Sequence, residues 1–143
     1  MSLTTLHYAD ACLKGEDFSG ADLTNACFRR AVLVDANFSY ADLSGADLSG
    51  AQLNGANFTG AKLNNTIFRN AYMERASMVN ALLQRTNLRG AHLCNAYFTK
   101  ANIIAADCTN ANLHSAIISS GQMSNIRLSN AILPDGTRCE ANV

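Results

Sequence analysis

The sequence predicts an all-β solenoid in which each coil has four sides of five residues. Three observations predict it: an apolar residue recurs at every fifth position, Ala usually precedes it by two positions, and Gly or Asn often follows it by two. A helix would spread such a repeat around its surface, and a straight strand would send successive apolar residues to opposite faces. A chain that turns a corner every five residues places all of them inside.

The apolar position, which we call the anchor, keeps its register from Leu3 to Leu133 without an insertion or deletion. The 27 anchors comprise 14 Leu, 6 Phe, 3 Met, 2 Ile, 1 Tyr and 1 Cys, and they include every Phe in the chain. A repeat of this length is the primary signature of a solenoid. Cys108 is the smallest anchor, and we expect it to behave as a small buried apolar residue.

The position two residues after each anchor, which we call the corner, carries the turn chemistry. Corners hold seven of the nine Gly residues and eight Asn residues. A type II turn needs a positive φ at its third residue, and Gly and Asn adopt that conformation most easily. The sequence therefore predicts a type II turn at each corner.

Four corners close a coil of 20 residues, so anchors 20 positions apart are expected to stack at the strand spacing of ~4.8 Å. The six Phe residues support this period, because four of them lie at multiples of 20 from one another. One predicted interior column runs from Phe18 to Ile118, and another from Leu3 to Met123. From these two columns we predict a structural core of Phe18, Phe38, Phe58, Phe98, Leu23, Leu43, Leu63 and Leu83.

The two ends depart from the repeat. Residues 1–10 lack the usual Ala and are expected to form an irregular N-terminal cap on a single domain that runs to residue 133. Residues 134–143 begin with Pro134-Asp135-Gly136, a turn signature, and continue as a short tail that could fold over the last coil. The open ends of such a rod allow a monomer or an end-to-end dimer.

The segments ADLSG, ANFTG and ALLQR resemble the A(D/N)LXX pattern of the pentapeptide-repeat family. The resemblance covers residues 3–133 and implies a right-handed quadrilateral parallel β-helix, here of about 6.75 coils. It also implies a bacterial source, since the family is abundant in cyanobacteria and other bacteria. The hexapeptide β-helix, often an acyltransferase, is the alternative, but no stretch of this chain keeps a period of six.

Composition favours a soluble cytoplasmic protein. Eleven acidic and eleven basic residues balance, and no apolar run approaches the roughly 18 residues of a transmembrane helix. The N-terminus lacks the basic start and apolar stretch of a secretory signal. Five Cys residues without a CxxC pair are typical of reduced thiols. We expect no membrane association.

The charges are unevenly distributed along the chain. Residues 1–60 carry seven acids and three bases, whereas residues 61–100 carry one acid and six bases. A candidate basic stripe comprises Arg29, Arg69, Arg85 and Arg89. Family members that protect DNA gyrase resemble DNA through a strongly negative surface, so modulation of a type II topoisomerase by DNA mimicry is the alternative function, disfavoured here by zero net charge. Direct nucleic-acid binding is not expected, because the bases spread round all four sides.

Outward positions of the second half include a group of apolar residues. We predict a partner surface at Val79, Leu82, Tyr97 and Ile117, because contiguous exposed apolar side chains often mark a protein interface. The leading interpretation is therefore a non-enzymatic scaffold or regulator that binds a protein partner, whose identity the sequence does not give.

One group of residues invites a metal hypothesis. His92, Cys94 and His114 fall on one predicted outer face, and a fourth ligand would complete a zinc site. No sequence motif supports this site, and a solid interior with flat sides offers no pocket for a Cys–His nucleophile. We predict no catalytic residue, no metal, no cofactor and no small-molecule substrate.

Overall fold

The structure is a computed structural model and describes residues 5–119 and 121–140. It contains two short strands, β1 (Asn102–Ile104) and β2 (Gln122–Ser124), which pair in parallel with Asn102 opposite Gln122. Most other pairing consists of single parallel bridges between residues 20 apart, from His7–Cys27 to Asn112–Ile132. The chain is thus built of stacked 20-residue coils, as the sequence predicts. Leu3 and parts of the predicted cap and tail lie outside the described residues.

The bridges form four columns, one for each side of the coil. We number these faces in the order in which the chain follows them from Cys12 onward. Face 1 carries positions 12 to 132, face 2 positions 17 to 117, face 3 positions 22 to 122, and face 4 positions 7 to 127, each in steps of 20. Every bridge residue directly precedes an anchor, so its side chain points outward while the anchor points inward.

Backbone hydrogen bonds hold each side to the coils before and after it. On face 2, Phe38 N donates to Asn57 O at 2.7 Å, and Asn57 N donates to Ala36 O at 2.9 Å. A turn bond from Ala41 N to Phe38 O at 3.1 Å closes the corner between them. Because the same pattern recurs on every face, most backbone polar groups of the central coils are paired.

The corners adopt the predicted backbone. Every described corner from Asp10 to Asn130 has a φ between +55° and +73°. Most of these corners also carry a turn bond such as the one from Ala41 N to Phe38 O, and with a positive φ at the third residue this is typical of a type II turn. Several corners carry residues that adopt this conformation at a steric cost: Arg30, Tyr40, Arg75, Arg85, Lys100 and Ala105.

The anchors fill the interior in stacked columns. The ring of Phe38 lies 5.1 Å from that of Phe18 and 5.0 Å from that of Phe58, with interplanar angles of 6° and 4°. Seven of the eight predicted core residues are at most 2% exposed, namely Phe38, Phe58, Phe98, Leu23, Leu43, Leu63 and Leu83. Phe18 is only half-buried, because it belongs to the first complete coil and has a neighbouring coil on one side.

Two Thr residues replace Ala in the small-residue column and are fully buried. Thr66 Oγ1 donates to Leu43 O at 2.8 Å, and Thr86 Oγ1 donates to Leu63 O at 2.8 Å. A buried hydroxyl is costly without a partner. These exceptions to the repeat are therefore tolerated because a backbone carbonyl of an adjacent coil accepts each hydroxyl.

The last coil, residues 117–133, departs from the predicted pattern. Met123 was expected inside with its column, but it is 47% exposed, and Ile118 is half-buried. Gly121 replaces the usual Ala, and a Cβ there would collide with the carbonyl oxygen of Ala101. The close approach of the two backbones coincides with the β1–β2 pairing, which replaces isolated bridges with a continuous ladder.

The tail turns back and pairs with the last coil. Leu133 N donates to Thr137 O at 2.7 Å, and Cys139 N donates to Ala131 O at 2.8 Å. Gly136 has a φ of +87° at the reversal, and Ile132 and Arg138 form an antiparallel bridge. The tail therefore covers the outer edge of the last coil on face 1.

Candidate interaction surfaces

The acidic and amide residues that precede the anchors serve the turns. Asp22 Oδ1 accepts bonds from Thr24 Oγ1 at 2.5 Å and Thr24 N at 3.1 Å, and Asp47 accepts the same pair from Ser49. The hydrogen bonds from the Thr24 side chain and backbone hold the pKa of Asp22 below its usual value. This local bonding is why Asp, Asn, Ser and Thr favour these positions, and it gives the repeated acids a structural role.

The predicted apolar patch, Val79, Leu82, Tyr97 and Ile117, divides between two faces. Tyr97 and Ile117 are bridge partners on face 2 and are 42% and 48% exposed. Val79 lies on the same face one coil earlier and is half-buried. Leu82 is 38% exposed but lies on face 3, between Lys62 and Asn102. The structure thus brings together Val79, Tyr97 and Ile117, while Leu82 lies beyond the next corner.

The most exposed aromatic residue is one that the sequence analysis did not select. Tyr40 is 72% exposed and occupies the corner between faces 2 and 3 with a φ of +59°. Its ring lies over Gly60, the next corner in the column, where a Cβ would collide with it. The available signal was an aromatic residue at a position that elsewhere holds Gly or Asn.

The predicted basic stripe, Arg29, Arg69, Arg85 and Arg89, lies mostly on face 4. Arg29 Nη1 pairs with Asp47 Oδ2 at 3.2 Å, and Arg89 Nη1 pairs with Asp107 Oδ2 at 3.2 Å. Arg85 is at the corner before face 4, where its Nε donates to Asn65 Oδ1 at 3.1 Å. The ion pairs on face 4 join residues 18 positions apart.

Arg69 breaks this ion-pair pattern. The residue 18 positions after it is Asn87, and within residues 5–119 and 121–140 Arg69 forms no ion pair. It lines an open groove of about 500 Å³ on face 4 together with Arg29, Arg30, Asp47, Ser49, Gly50, Ile67, Asn70 and Asn87. We call this the Arg69 groove. Its lining carries three guanidinium groups and one carboxylate.

The structure places His92, Cys94 and His114 in separate surroundings. Among the residues that the structure describes, no three His, Cys, Asp or Glu side chains are placed to hold a metal ion. The ring of His92 stacks on Tyr72 at 4.8 Å, and His114 lies against the turn at Gly136. Burial, reinforced by the charge of Glu74, raises the pKa of the Cys94 thiol, which disfavours the thiolate that zinc needs.

The interior leaves little room for a ligand. A cavity of about 20 Å³ near the last coil is lined by eight anchors, Cys108 among them, and by Ile126. That volume holds about one water molecule, whereas pockets for small molecules measure roughly 300–1,000 Å³. Burial raises the pKa of Cys108 to about 12, with a smaller contribution from Asp107, so its thiol stays protonated and unreactive.

Comparison with protein families identifies the repeat. The chain matches the pentapeptide repeats in eight copies, with matched segments at residues 9–39, 17–55, 51–90, 76–107 and 91–130. The chain belongs to the pentapeptide-repeat family. A comparison with curated proteins found no match.

Solved structures of other pentapeptide-repeat proteins are similar. QnrB1, a plasmid-mediated fluoroquinolone resistance protein, is 22% identical over 90% of this chain and 71% of its own, with a TM-score of 0.51. HetL, involved in heterocyst differentiation regulation in the cyanobacterium Nostoc sp. strain PCC 7120, is 27% identical over 96% and 76%, with a TM-score of 0.36. A pentapeptide repeat protein from the cyanobacterium Cyanothece 51142 is 25% identical over 85% and 87%, with a TM-score of 0.48. The likeness to QnrB1 supports the fold alone.

Proposed function

We propose that this pentapeptide-repeat protein is a non-enzymatic scaffold or regulator that binds a protein partner through face 2. The observation that carries the proposal is the pairing of Tyr97 with Ile117 as adjacent, roughly half-exposed apolar side chains on a flat face. Aromatic and aliphatic side chains grouped on an otherwise polar surface are typical of the centre of an interface. Val79 extends the group by one coil.

The detailed geometry of the rod is part of the same proposal. We propose a right-handed quadrilateral coil, because right-handed crossovers connect parallel strands in nearly all proteins. The 27 anchors in groups of four correspond to about 6.75 coils. A rod of this kind presents its side chains on a regular, hydrogen-bonded backbone, which lowers the entropic cost of binding a partner.

The absence of enzymatic activity is likewise proposed rather than observed. Packed anchors, a cavity of about 20 Å³ and a Cys108 thiol with a pKa of about 12 support it. Five cysteines without a disulfide support a reducing, cytoplasmic location. In residues 5–119 and 121–140 there is no helix of the length and hydrophobicity that membrane crossing requires.

DNA mimicry of a topoisomerase substrate is less well supported. A mimic needs a continuous negative surface, whereas face 4 carries Arg29, Arg69 and Arg89 and the chain has no net charge. The acids that remain are partly engaged, since Asp47 and Asp107 pair with arginines. Scaffold function is therefore the conclusion that the surface favours.

Affinity capture from a lysate of the source organism tests the proposal. Immobilised wild type is compared with Tyr97→Asp and with Tyr72→Asp, a matched control because Tyr72 is 47% exposed on face 1. We expect a partner that is retained by wild type and by Tyr72→Asp and lost with Tyr97→Asp. Equal retention by all three would contradict the assignment to face 2, and equal retention of a topoisomerase would favour mimicry.

A further inference from the structure

We propose that the Arg69 groove binds an acidic segment of a partner protein, with a carboxylate on Arg69 and an adjacent apolar side chain over Ile67. This surface is distinct from the face 2 patch, and the inference rests on the proposed scaffold function.

Two of the three arginines that share a column on face 4 are paired with carboxylates. Arg29 and Arg89 each pair with the Asp that lies 18 positions later, at 3.2 Å in both cases. Arg69 occupies the equivalent place between them, but its partner position is Asn87 rather than Asp. A guanidinium keeps its charge at any ordinary pH and presents a planar set of donors that matches a carboxylate. Of these three arginines, Arg69 is thus the one left for an external anion.

The groove is open and is lined by three arginines. Its volume of about 500 Å³ lies around Arg69, and Arg29 and Arg30 add two further guanidinium groups to the lining. Arg30 makes a two-point ion pair with Asp10 at 2.9 and 3.1 Å, and Arg29 pairs with Asp47. The charge of each of these two arginines is largely balanced by its carboxylate partner, so direct binding falls mainly to Arg69.

The mixture of charged, apolar and amide residues in the groove indicates which kind of anion it fits. A nucleic acid presents a continuous row of phosphates and needs several unpaired cations along its path. Face 4 alternates cations with Asp47 and Asp107, and the groove also contains half-buried Ile67. A protein segment that carries one or two carboxylates beside an apolar residue fits this mixture. The amides of Asn70 and Asn87 supply further hydrogen bonds to its backbone.

Fluorescence anisotropy with defined probes tests the inference. The probe is a short fluorescein-labelled peptide with paired Glu residues beside a Leu, and its counterpart has Gln in place of each Glu. We expect the acidic peptide to bind wild type, and the Gln peptide to bind about tenfold more weakly, since a charge-assisted hydrogen bond contributes on that scale. Raising the salt concentration is expected to weaken the binding of the acidic peptide.

Three variants locate the binding. Arg69→Gln is expected to bind the acidic peptide about tenfold more weakly than wild type. Arg75→Gln, at an exposed corner outside the groove, is expected to bind like wild type. Asn87→Asp keeps Arg69 but supplies the missing carboxylate of the face 4 pattern. We expect it to reduce the affinity for the acidic peptide to a similar extent. Thermal unfolding of each variant checks that the coils are intact.

Several results would overturn the inference. They are no binding of the acidic peptide to wild type, equal weakening by Arg69→Gln and Arg75→Gln, and tighter binding of a labelled oligothymidylate than of the peptide. Self-association of wild type that Arg69→Gln abolishes would also overturn it, because the occupant would then be a second copy of this chain. The peptide assay is independent of lysate capture, so failure here and failure of the face 2 proposal are distinguishable.

Discussion

The central coils and the last coil use the same five-residue repeat with different results. Every anchor from Leu23 to Leu113 is at most 4% exposed, whereas Met123 is 47% exposed and Ile118 is half-buried. The difference lies in the neighbours rather than in the anchors, since Met73 and Met78 are fully buried in the centre. In a solenoid each coil is stabilised by the coils on both sides, so a repeat motif buries its anchor only where a following coil covers it.

The largest expected effect separates the two regions directly. Phe58→Asp places an unpaired charge in the central stack and removes a buried ring, so we expect a loss of at least about 3–5 kcal/mol in the free energy of unfolding. Met123→Asp is expected to cost less than about 1 kcal/mol, because that side chain already contacts water. Urea denaturation followed by circular dichroism measures both. Similar losses in the two variants would remove the distinction between the regions.

Substitutions that restore the repeat in the last coil provide a sharper test. Gly121→Ala and Ile126→Ala each recreate the usual Ala, yet we expect both to destabilise, by about 1–3 kcal/mol. At position 121 a Cβ collides with the backbone of Ala101, and at position 126 Ile lines the apolar cavity beside Cys108. The readout is the melting temperature. A rise in either variant would mean that the departures from the repeat are accidental.

The buried hydroxyls of the central coils predict a smaller effect. Thr66→Val keeps the shape of the side chain but removes its hydrogen bond to Leu43 O, and we expect a loss of about 1 kcal/mol. Thr59→Val is the control, because Thr59 is partly exposed and water replaces its lost partner. Urea denaturation of the two variants is compared with that of wild type. Equal stability of all three would show that the hydrogen bond from Thr66 to the Leu43 carbonyl does not contribute to the free energy of unfolding.

The smallest expected effect is the response to acid. The pKa values of Asp17 and Asp22 are lowered in the folded state, chiefly by hydrogen bonds from Ser19 and Thr24. Their stabilisation is therefore complete above the unfolded-state pKa near 3.8 and is lost as the pH falls through the folded-state values. We expect the urea concentration at the unfolding midpoint to decrease once the pH is lowered below about 4. The decrease is expected to be smaller in Asp22→Asn, which keeps the acceptor oxygen.

The last coil is the internal comparison for this response. Its bridge positions hold Ile117, Gln122, Arg127 and Ile132, none of which is a carboxylate. Acid should therefore weaken the first coils while leaving the corners at Asn125 and Asn130 unchanged. The tail beyond them is expected to respond through Asp135, because hydrogen bonds from Thr137 lower its pKa. Backbone amide chemical shifts followed by NMR as the pH is lowered would show this. Simultaneous change in both regions would mean that the carboxylates act through global unfolding.

Much of the fold could be predicted because one physical requirement recurs at each repeat. The corner at Gly45 needs a positive φ, and the anchor at Phe38 needs an interior without water. The residue types at these positions therefore indicate the backbone conformation and the burial. The exposure of Met123 could not be predicted from its residue type, since Met fits the column. It is exposed because no further coil covers it on that side. The antiparallel tail at Arg138 carries no periodic signal.

The surfaces were harder to predict than the interior. The faces of Tyr97 and Leu82 follow from counting, but whether neighbours cover a side chain depends on rotamers that the repeat does not specify. The predicted stripe of arginines gave no indication of which charges are paired. That Arg69 lacks an ion pair emerged only when the 18-residue pairing across coils was visible.

The four-column register has a consequence for how such chains change length. Gain or loss of five residues preserves every repeat letter and every corner, so the interior would accept it. Each downstream outward residue would nevertheless move by a quarter turn to the neighbouring face, which would separate Arg69 from Arg29, or Tyr97 from Val79. Only insertions or deletions of 20 residues, or of a multiple of 20, leave the surfaces aligned. The interior therefore tolerates changes in length of five residues, whereas a binding surface that spans several coils is preserved only when whole 20-residue coils are gained or lost.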